Sequence, residues 1–264
     1  MNDDERRVIA QSFINAYDTM VPLEAPSSIY KSFTIDDAYQ VQCIQVERWV
    51  EQGRRIKGHK VGLTSTAMQR TFGIDRPDYG ILLDAMFWPE NAAIPASAFF
   101  QPRVEPEIAF VLGRRLEGPG VTVADAIRAV DFVLPALELI DSRIRDWHIT
   151  LPDTIADNAS SGGLVLGSCP HRLDALDLRL VGCNLLLNGD LAASGAGGAV
   201  LGSPVVALAW LANALGERGV VLEEGHVVLS GACTTAVTVA AGDVVTAALS
   251  GLGAVTTAFV GSPG

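Results

Sequence analysis

The sequence predicts an α+β fold that is rich in β-structure and begins with a helical segment. Apolar residues recur at helical spacing through the first fifty residues. From Ile56 onward, short apolar runs typical of strands are separated by glycine and proline. These runs mostly follow one another, which favours a mixed sheet over regular βαβ alternation. We therefore expect an N-terminal helical segment over residues 1–55, packed on a main domain over residues 56–264.

Two helices are predicted in the N-terminal segment. Asp3 or Asp4 is expected to cap the first helix, ahead of apolar residues at helical spacing. Thr34 and Asp37 have the spacing of a capping box, which predicts the start of the second helix. Gly53 is expected to end it.

Eight strands and two further helices are predicted in the main domain. The first of these helices covers residues 123–130 behind Thr122, and the second covers residues 205–215 behind Ser203-Pro204. Asn188-Gly189 predicts a two-residue hairpin turn. The predicted strands are residues 107–112, 132–140, 164–166, 180–187, 226–229, 236–240, 244–249 and 254–260.

Composition excludes several classes of protein. The chain has 30 acidic and 19 basic residues, a formal charge of −11, so a nucleic-acid partner is not expected. A hydrophobic fraction of 49% argues against general disorder. The charged N-terminus does not resemble a signal peptide, and glycine or proline interrupts the charge-free stretches 191–216 and 244–264. We expect a soluble cytoplasmic protein without a membrane partner.

Four cysteines lie far apart and show no metal-ligand or disulfide spacing. They are predicted to be buried free thiols in a reducing compartment. The residues are Cys43, Cys169, Cys183 and Cys233.

Three acidic residues lie in apolar sequence, where a charge exposed to solvent is not expected. Glu105 and Glu107 are two residues apart in a predicted extended segment, so they project to the same side. Glu138 lies inside the apolar run 132–140. Carboxylates without a Cys or His cluster favour Mg²⁺ or Mn²⁺. The alternative is that the glutamate pair is solvated and that Glu138 pairs with Arg103 or Arg143.

A second group of candidate residues surrounds Lys60. Lys60 stands between Gly58 and Gly62 in an apolar stretch, which suits a partly buried ammonium near a carboxylate. Asp78 is expected to precede a turn at Gly80. A surface loop would explain either charged residue alone. His59 would face away from Lys60 in a strand and is interpreted as structural.

A dense polar run covers residues 141–163 and contains Ser160 near its end. Such a run between two β segments indicates a functional loop. A long, hydrogen-bonded surface connection is the alternative.

Six motifs follow one another along the main domain: Lys60-Val-Gly-Leu-Thr64, Pro77-Asp-Tyr-Gly80, Pro102-Arg-Val-Glu-Pro-Glu-Ile-Ala109, Pro135-Ala-Leu-Glu138, Asp141-Ser-Arg-Ile-Arg-Asp-Trp147 and Asp153-Thr-Ile-Ala-Asp-Asn-Ala-Ser160. In this order they resemble the 2-keto-4-pentenoate (2-hydroxypenta-2,4-dienoate) hydratases, of the fumarylacetoacetate hydrolase superfamily. The resemblance runs from about Ile56 to the C-terminus.

The resemblance implies a mixed β fold of the fumarylacetoacetate hydrolase type and a Mg²⁺ or Mn²⁺ cofactor. It implies a hydro-lyase that adds water to a 2-hydroxy-2,4-dienoate and forms a 4-hydroxy-2-oxoacid, in meta-cleavage catabolism of aromatic or steroid rings. By the resemblance, the metal ligands are Glu105, Glu107 and Glu138, and the residues around the substrate are Lys60, Asp78 and Ser160.

Lys60 and Asp78 are expected to share proton transfer and water activation. Ser160 is expected to position the substrate by hydrogen bonding. A homo-oligomer is expected, and association with other enzymes of the same pathway is a further expectation.

Three other functions are compatible with the sequence. A 4-oxalocrotonate-type decarboxylase would expel CO₂ from a 2-oxo-enedioate. A C–C hydrolase of acylpyruvates would need a water-activating base, for which His59 is the nearby histidine. A partner or scaffold subunit without activity is the third alternative.

Overall fold

The structure is a computed structural model that describes residues 1–66, 69–70, 74 and 76–261. Residues 262–264 of the predicted main domain therefore lie outside the described residues. The helices with bounds inside the described ranges are α1 (Asp3–Thr19), α2 (Pro26–Ile29), α3 (Ile35–Glu51), α4 (Val123–Ala129), α5 (Leu151–Ala156) and α6 (Pro204–Gly216).

Two sheets form the main body of the fold. Their strands are β1 (Ile56–Gly62), β2 (Asp78–Leu83), β3 (Phe87–Trp88), β4 (Ala93–Pro95), β5 (Arg103–Leu112), β6 (Val130–Ile140), β7 (Ser161–Leu166), β8 (Gly182–Leu187), β9 (Asp190–Ala196), β10 (Val227–Leu229), β11 (Val237–Thr238), β12 (Val244–Leu249) and β13 (Gly253–Val260). The larger sheet has the order β2-β1-β10-β5-β6-β7-β3, with β11 pairing to β5, and the smaller has the order β4-β13-β12-β8-β9. The predicted β-rich α+β fold is confirmed.

The caps of the two long N-terminal helices differ in how well the sequence predicts them. Asn2, not Asp3 or Asp4, caps α1, because its side chain accepts a 2.8 Å hydrogen bond from the Glu5 amide and its own backbone amide donates to the Glu5 carboxylate. The predicted cap of α3 at Thr34 is confirmed. Helix α3 ends at Glu51, just before Gly53, whose φ of +93° favours glycine.

Each of the eight predicted strands overlaps an observed strand, although several bounds move. Strand β5 begins earlier than predicted, at Arg103, and Leu180 lies in a single 3₁₀ turn ahead of β8. The predicted hairpin between β8 and β9 is confirmed, with both Asn188 and Gly189 at positive φ. The predicted helices at 123–130 and 205–215 are confirmed as α4 and α6.

The predicted turn at Gly80 is wrong. Gly80 lies inside β2, where it pairs with Lys60 of β1. A side chain at Gly80 would collide with the Asn158 carbonyl and approach the Ser161 hydroxyl to 2.8 Å. The glycine therefore permits close packing between this strand and the 158–161 segment, and does not end the strand.

The N-terminal helices and the large sheet share one hydrophobic core. Phe13 of α1 and Val41 of α3 belong to the same buried cluster as Ile108 of β5 and Leu137 of β6. The N-terminal helices therefore pack into the core that the sheet also lines. The division into 1–55 and 56–264 stays a prediction.

The cysteine prediction is half wrong. All four cysteines are free thiols, but Cys43 and Cys169 are exposed, while Cys183 and Cys233 are buried. Cys43 lies on the face of α3 that turns away from the core, and Cys169 lies in the connection after β7.

One helical stretch among the described residues, Gly197–Gly216, is long and apolar enough to cross a membrane by composition. Half of that stretch is buried inside the fold. A core helix has the same properties, so this is weak grounds for a membrane span.

Candidate active site

Three glutamates meet where β5 and β6 pair at the centre of the large sheet. Glu105 lies directly opposite Glu138 in the antiparallel register, and Glu107 follows on the same face of β5. Glu107 and Glu138 are buried, whereas Glu105 is half-buried. Carboxylate oxygens of all three residues lie within 4.8 Å of one another. The solvated-glutamate alternative is therefore wrong for this group.

Burial and nearby negative charge raise the pKa values of Glu105 and Glu107 in the metal-free protein. Burial, reinforced by the charge of Glu138, raises the pKa of Glu105 to about 7. The same two causes raise the pKa of Glu107 well above its ordinary value. One oxygen of Glu107 accepts a 2.7 Å hydrogen bond from the Gly231 amide, which opposes this shift.

Lys60 is the cation beside the glutamates. Its Nζ lies 3.3 Å from Oε1 of Glu138, and both side chains are buried. Burial lowers the pKa of Lys60, but the charges of Glu138, Asp78 and Glu105 raise it, and the net pKa is above its ordinary value. Lys60 is therefore an ammonium at neutral pH.

Asp78 completes this charged group from the neighbouring strand. It lies opposite Gly62 in the β1–β2 pairing, and it is buried. A Cβ at Gly62 would overlap Oδ1 of Asp78 and lie 3.3 Å from Nζ of Lys60, so only glycine leaves room for the aspartate. Burial raises the pKa of Asp78, and Glu138 adds to this, while Lys60 opposes it.

Ser160 reaches the site through an unusual backbone segment. Asn158, Ala159 and Ser160 all have positive φ, between 50° and 55°. The Asn158 side chain holds the segment against β2 by two hydrogen bonds of 2.8 and 2.9 Å to the backbone of Ile81. The Ser160 hydroxyl is 3.0 Å from the Thr154 hydroxyl of α5.

A buried ion pair supports this segment from below. Nε of Arg143 donates to Oδ1 of Asp157 at 2.6 Å, and other guanidinium nitrogens donate to the carbonyls of Asp157 and Ser161. The alternative pairing of Glu138 with Arg103 or Arg143 is therefore wrong, because Glu138 pairs with Lys60.

A cavity of about 460 Å³ opens onto the site. Lys60, Asp78, Glu105 and Ser160 all line it, so the predicted substrate residues and one predicted ligand face the same space. Part of the wall is apolar, and these residues are Ile140, Trp147, Ile149, Leu151, Ala232 and Ala236.

Sequence reasoning missed Arg103 and Trp147 as cavity residues. The guanidinium of Arg103 lies 4.4 Å from the centroid of the Trp147 ring. Arg103 is two residues before Glu105 on β5, so strand alternation was a usable signal for its direction.

His59 is not one of the described residues that line this cavity. It is buried, and burial together with His226 lowers its pKa to about 3. Its position fits the structural interpretation and leaves an acylpyruvate hydrolase without its expected base.

The three glutamates fit a hard divalent cation. Oε1 of Glu107 and Oε1 of Glu138 are buried acceptors that have no hydrogen-bond donor among the described residues, although the latter forms the ion pair with Lys60. Unsatisfied buried carboxylate oxygens are costly without a cation. An all-oxygen ligand set of this kind suits Mg²⁺ or Mn²⁺ and not zinc.

The chain is similar to known proteins over most of its length. The family model of the fumarylacetoacetate (FAA) hydrolase C-terminal region matches residues 61–260. The chain is 43% identical to the 2-keto-4-pentenoate hydratase of Paraburkholderia xenovorans (strain LB400), over 98% of this chain and 96% of that protein. It is 41% identical to the 2-oxo-hept-4-ene-1,7-dioate hydratase of Escherichia coli, over 96% and 97%.

A solved structure with the same fold is the 4-oxalocrotonate decarboxylase from Pseudomonas putida G7, complexed with magnesium and adipate. Its TM-score is 0.94 at 36% identity, and the match covers 98% of this chain and 99% of that one. The chain therefore belongs to the fumarylacetoacetate hydrolase family, in the group that includes the 2-keto-4-pentenoate hydratases.

Proposed function

We propose that this protein is a hydratase that adds water to a 2-hydroxy-2,4-dienoate, of the 2-hydroxypenta-2,4-dienoate type, and forms a 4-hydroxy-2-oxoacid. The observation that carries the proposal is the buried cluster of Glu105, Glu107, Glu138 and Lys60 at the base of a cavity, in a chain 43% identical over nearly its full length to a named hydratase. The reaction belongs to meta-cleavage catabolism of aromatic or steroid rings.

The cofactor is a divalent metal held by Glu105, Glu107 and Glu138, with Mg²⁺ or Mn²⁺ as the proposed ion. When bound, it supplies a Lewis acid for the carboxylate and 2-oxygen of the substrate. The unsatisfied oxygens of Glu107 and Glu138 support this assignment.

Lys60 and Asp78 jointly move the protons of the reaction. Lys60 is held as an ammonium by its acidic neighbours, so its acid form is present to give C5 a proton while the 2-hydroxyl loses its own and the dienol becomes a 2-oxo-3-enoate. Asp78, with its raised pKa, is the better base for the water whose hydroxide adds at C4, and a proton is then delivered to C3. Both side chains line the cavity, so each can reach a bound substrate.

Ser160 positions the substrate and does not act as a nucleophile. Its hydroxyl contacts the Thr154 hydroxyl and no carboxylate or imidazole among the described residues, so it lacks the paired base of an activated nucleophile. A hydroxyl held by a rigid segment can orient a polar substrate atom.

The remaining expectations are part of the same proposal. We propose a cytoplasmic homo-oligomer that takes a small-molecule 2-hydroxydienoate and associates with other enzymes of its pathway. We also propose residues 1–55 as a helical segment packed on a catalytic domain over residues 56–264.

A second candidate function is decarboxylation of a 4-oxalocrotonate-type 2-oxo-enedioate. The TM-score of 0.94 to a named decarboxylase favours keeping it as the alternative. The same site could stabilise the electron density left when CO₂ departs.

Product analysis separates these functions. Purified protein with Mg²⁺ is given 2-hydroxypenta-2,4-dienoate in one reaction and a 2-oxo-enedioate in another, and the products are identified by NMR. The proposal expects a 4-hydroxy-2-oxoacid from the first substrate. Release of CO₂ from the second substrate, with no hydration of the first, would replace the hydratase by the decarboxylase.

A further inference from the structure

Arg103 is a positively charged residue of the cavity wall that takes no part in the proposed proton transfers. It projects from β5 on the same face as Glu105, one alternate position nearer the strand's start. Its guanidinium stacks on Trp147 at 4.4 Å and is half-buried. It makes no hydrogen bond or ion pair with any residue in the described ranges.

A guanidinium can donate to the oxygen of a carboxylate that a metal ion leaves free, and its planar fork fixes the direction of the donated hydrogen bonds. Stacking on Trp147 holds the Arg103 fork in one orientation before any ligand arrives, which reduces the entropy lost on binding. A half-buried, oriented and unpaired guanidinium beside the proposed metal ligand Glu105 is therefore suited to bind the carboxylate of the substrate.

The cavity has no cation left for a second carboxylate. Lys60 and Arg103 are the lysine or arginine residues of the described lining, and Lys60 is already paired with Glu138. The residues outside the described ranges include no lysine, arginine or histidine. Four carboxylates, those of Asp78 and the three glutamates, surround Lys60. A divalent cation with Lys60 and Arg103 supplies four positive charges against these four negative ones, so one substrate carboxylate already makes the site net negative and a second would add to that charge.

The rest of the wall is neutral. Its apolar part is formed by Ile140, Trp147, Ile149, Leu151, Ala232 and Ala236. Hydroxyls such as those of Thr64 and Thr234 can donate hydrogen bonds but carry no charge. Burying a second carboxylate there would leave its charge without a cation, which is unfavourable.

We propose that Arg103, held by Trp147, binds the 1-carboxylate of the substrate, and that the substrate class is 2-hydroxy-2,4-dienoates with an uncharged tail. This rests on the proposed hydratase function for the identity of the substrate. The same charge balance disfavours dioates, including the 2-oxo-enedioate of a decarboxylase.

Binding of unreactive analogues tests this separately from turnover. The Mn²⁺-loaded protein is titrated by calorimetry with 2-oxopentanoate and with 2-oxoheptanedioate. We expect 2-oxopentanoate to bind about 10-fold more tightly or better, since only the dioate buries an unpaired charge. Equal or tighter binding of the dioate would overturn the substrate class.

Variants test the residue. Arg103→Met should weaken 2-oxopentanoate binding about 10- to 100-fold, Arg103→Lys less, and Trp147→Leu should have an intermediate effect because the stack is lost. Mn²⁺ affinity should not fall in any of the three. Arg172→Met, at an exposed arginine outside the described cavity wall, is the control.

Two results would overturn the role of Arg103: unchanged 2-oxopentanoate binding in Arg103→Met, or loss of dioate binding alone. Should Arg103→Met fail to fold by circular dichroism, Trp147→Leu decides the question by the same titration. Failure of the hydratase proposal looks different. The analogues would then bind in the expected order, while no 2-hydroxydienoate yields a hydrated product.

Discussion

The ammonium of Lys60 lies 3.3 Å from Oε1 of Glu138, in a buried position between two strands that are not neighbours in the sheet. This ion pair joins the proposed metal ligands to the proposed proton-transfer residues. It leaves one cation among four carboxylates, so further positive charge is needed for neutrality.

Replacing Lys60 should separate chemistry from metal binding. Lys60→Met removes the proposed proton donor while leaving all three glutamates in place, so turnover should fall by about 100-fold or more. Mn²⁺ binding, measured by calorimetry, should persist. Without the ammonium the carboxylates repel one another more strongly, and a bound cation relieves that repulsion. Lys57→Met, an exposed position on the same strand, is the control. Normal turnover in folded Lys60→Met protein would remove this residue from the mechanism.

Glu107→Gln should weaken metal binding while preserving the fold. The amide oxygen of glutamine can still accept from Gly231, but it carries no charge for the cation. We expect Mn²⁺ affinity to fall by more than about 100-fold, because losing a residue that merely orients a ligand already costs 10- to 100-fold. Calorimetric titration measures this, with the exposed Glu117→Gln variant alongside. Equal affinities would exclude Glu107 as a ligand.

Metal affinity should depend on pH near neutrality. The pKa of Glu105 is raised from 4.5 to about 7 in the metal-free protein, so protons compete with the cation below that pH. Mn²⁺ affinity should therefore rise between about pH 6 and pH 8. An affinity that is flat across this range would contradict the raised pKa.

The stability of the metal-free protein should follow the opposite trend. A carboxyl with a raised folded-state pKa binds more protons when folded, so its contribution to the free energy of unfolding is full below about pH 4.5 and is lost as pH rises through about 7. Urea unfolding in EDTA should show this loss, and added Mn²⁺ should oppose it. The Glu105→Gln variant should flatten the pH dependence.

The Arg143–Asp157 ion pair should be worth far more than an exposed one. Asp157→Asn leaves a buried guanidinium without its carboxylate, which should lower the free energy of unfolding by about 3–5 kcal/mol. Glu24→Gln, which breaks the exposed pair with Arg145, should cost about 0–1 kcal/mol. Urea unfolding of both variants compares them, and similar losses would show that the 158–161 segment does not depend on this pair.

Sequence patterns predict the central strands of this fold because their apolar runs are continuous. Strands β5 and β6 are recognisable on that ground, and the position of Glu138 inside such a run marks it as unusual. The predicted strands do not include β1 and β2, whose apolar runs are interrupted by Gly58, Gly62 and Gly80. Those glycines instead make room for neighbouring backbone and for Asp78.

The candidate site is predictable in its members but not in its pairings. Residue types and the family resemblance select Glu105, Glu107, Glu138 and Lys60, and the structure brings them together. The contact between Lys60 and Glu138 joins strands separated by β10 and β5 in the sheet, so no local spacing encodes it. Arg143 likewise pairs with Asp157 and not with Glu138. Asp157 directly precedes residues 158–160, whose positive φ values turn the chain sharply.

Metal dependence of turnover tests the central claim most directly. Protein dialysed against EDTA is given 2-hydroxypenta-2,4-dienoate, and loss of the dienol absorbance is followed before and after addition of Mg²⁺ or Mn²⁺, with the 4-hydroxy-2-oxoacid quantified by NMR. We expect hydration to be lost after chelation and restored by either ion in the wild-type protein, and not restored in Glu107→Gln at the same metal concentration. Undiminished hydration in EDTA would contradict the assignment of the three glutamates as the metal centre of a hydratase.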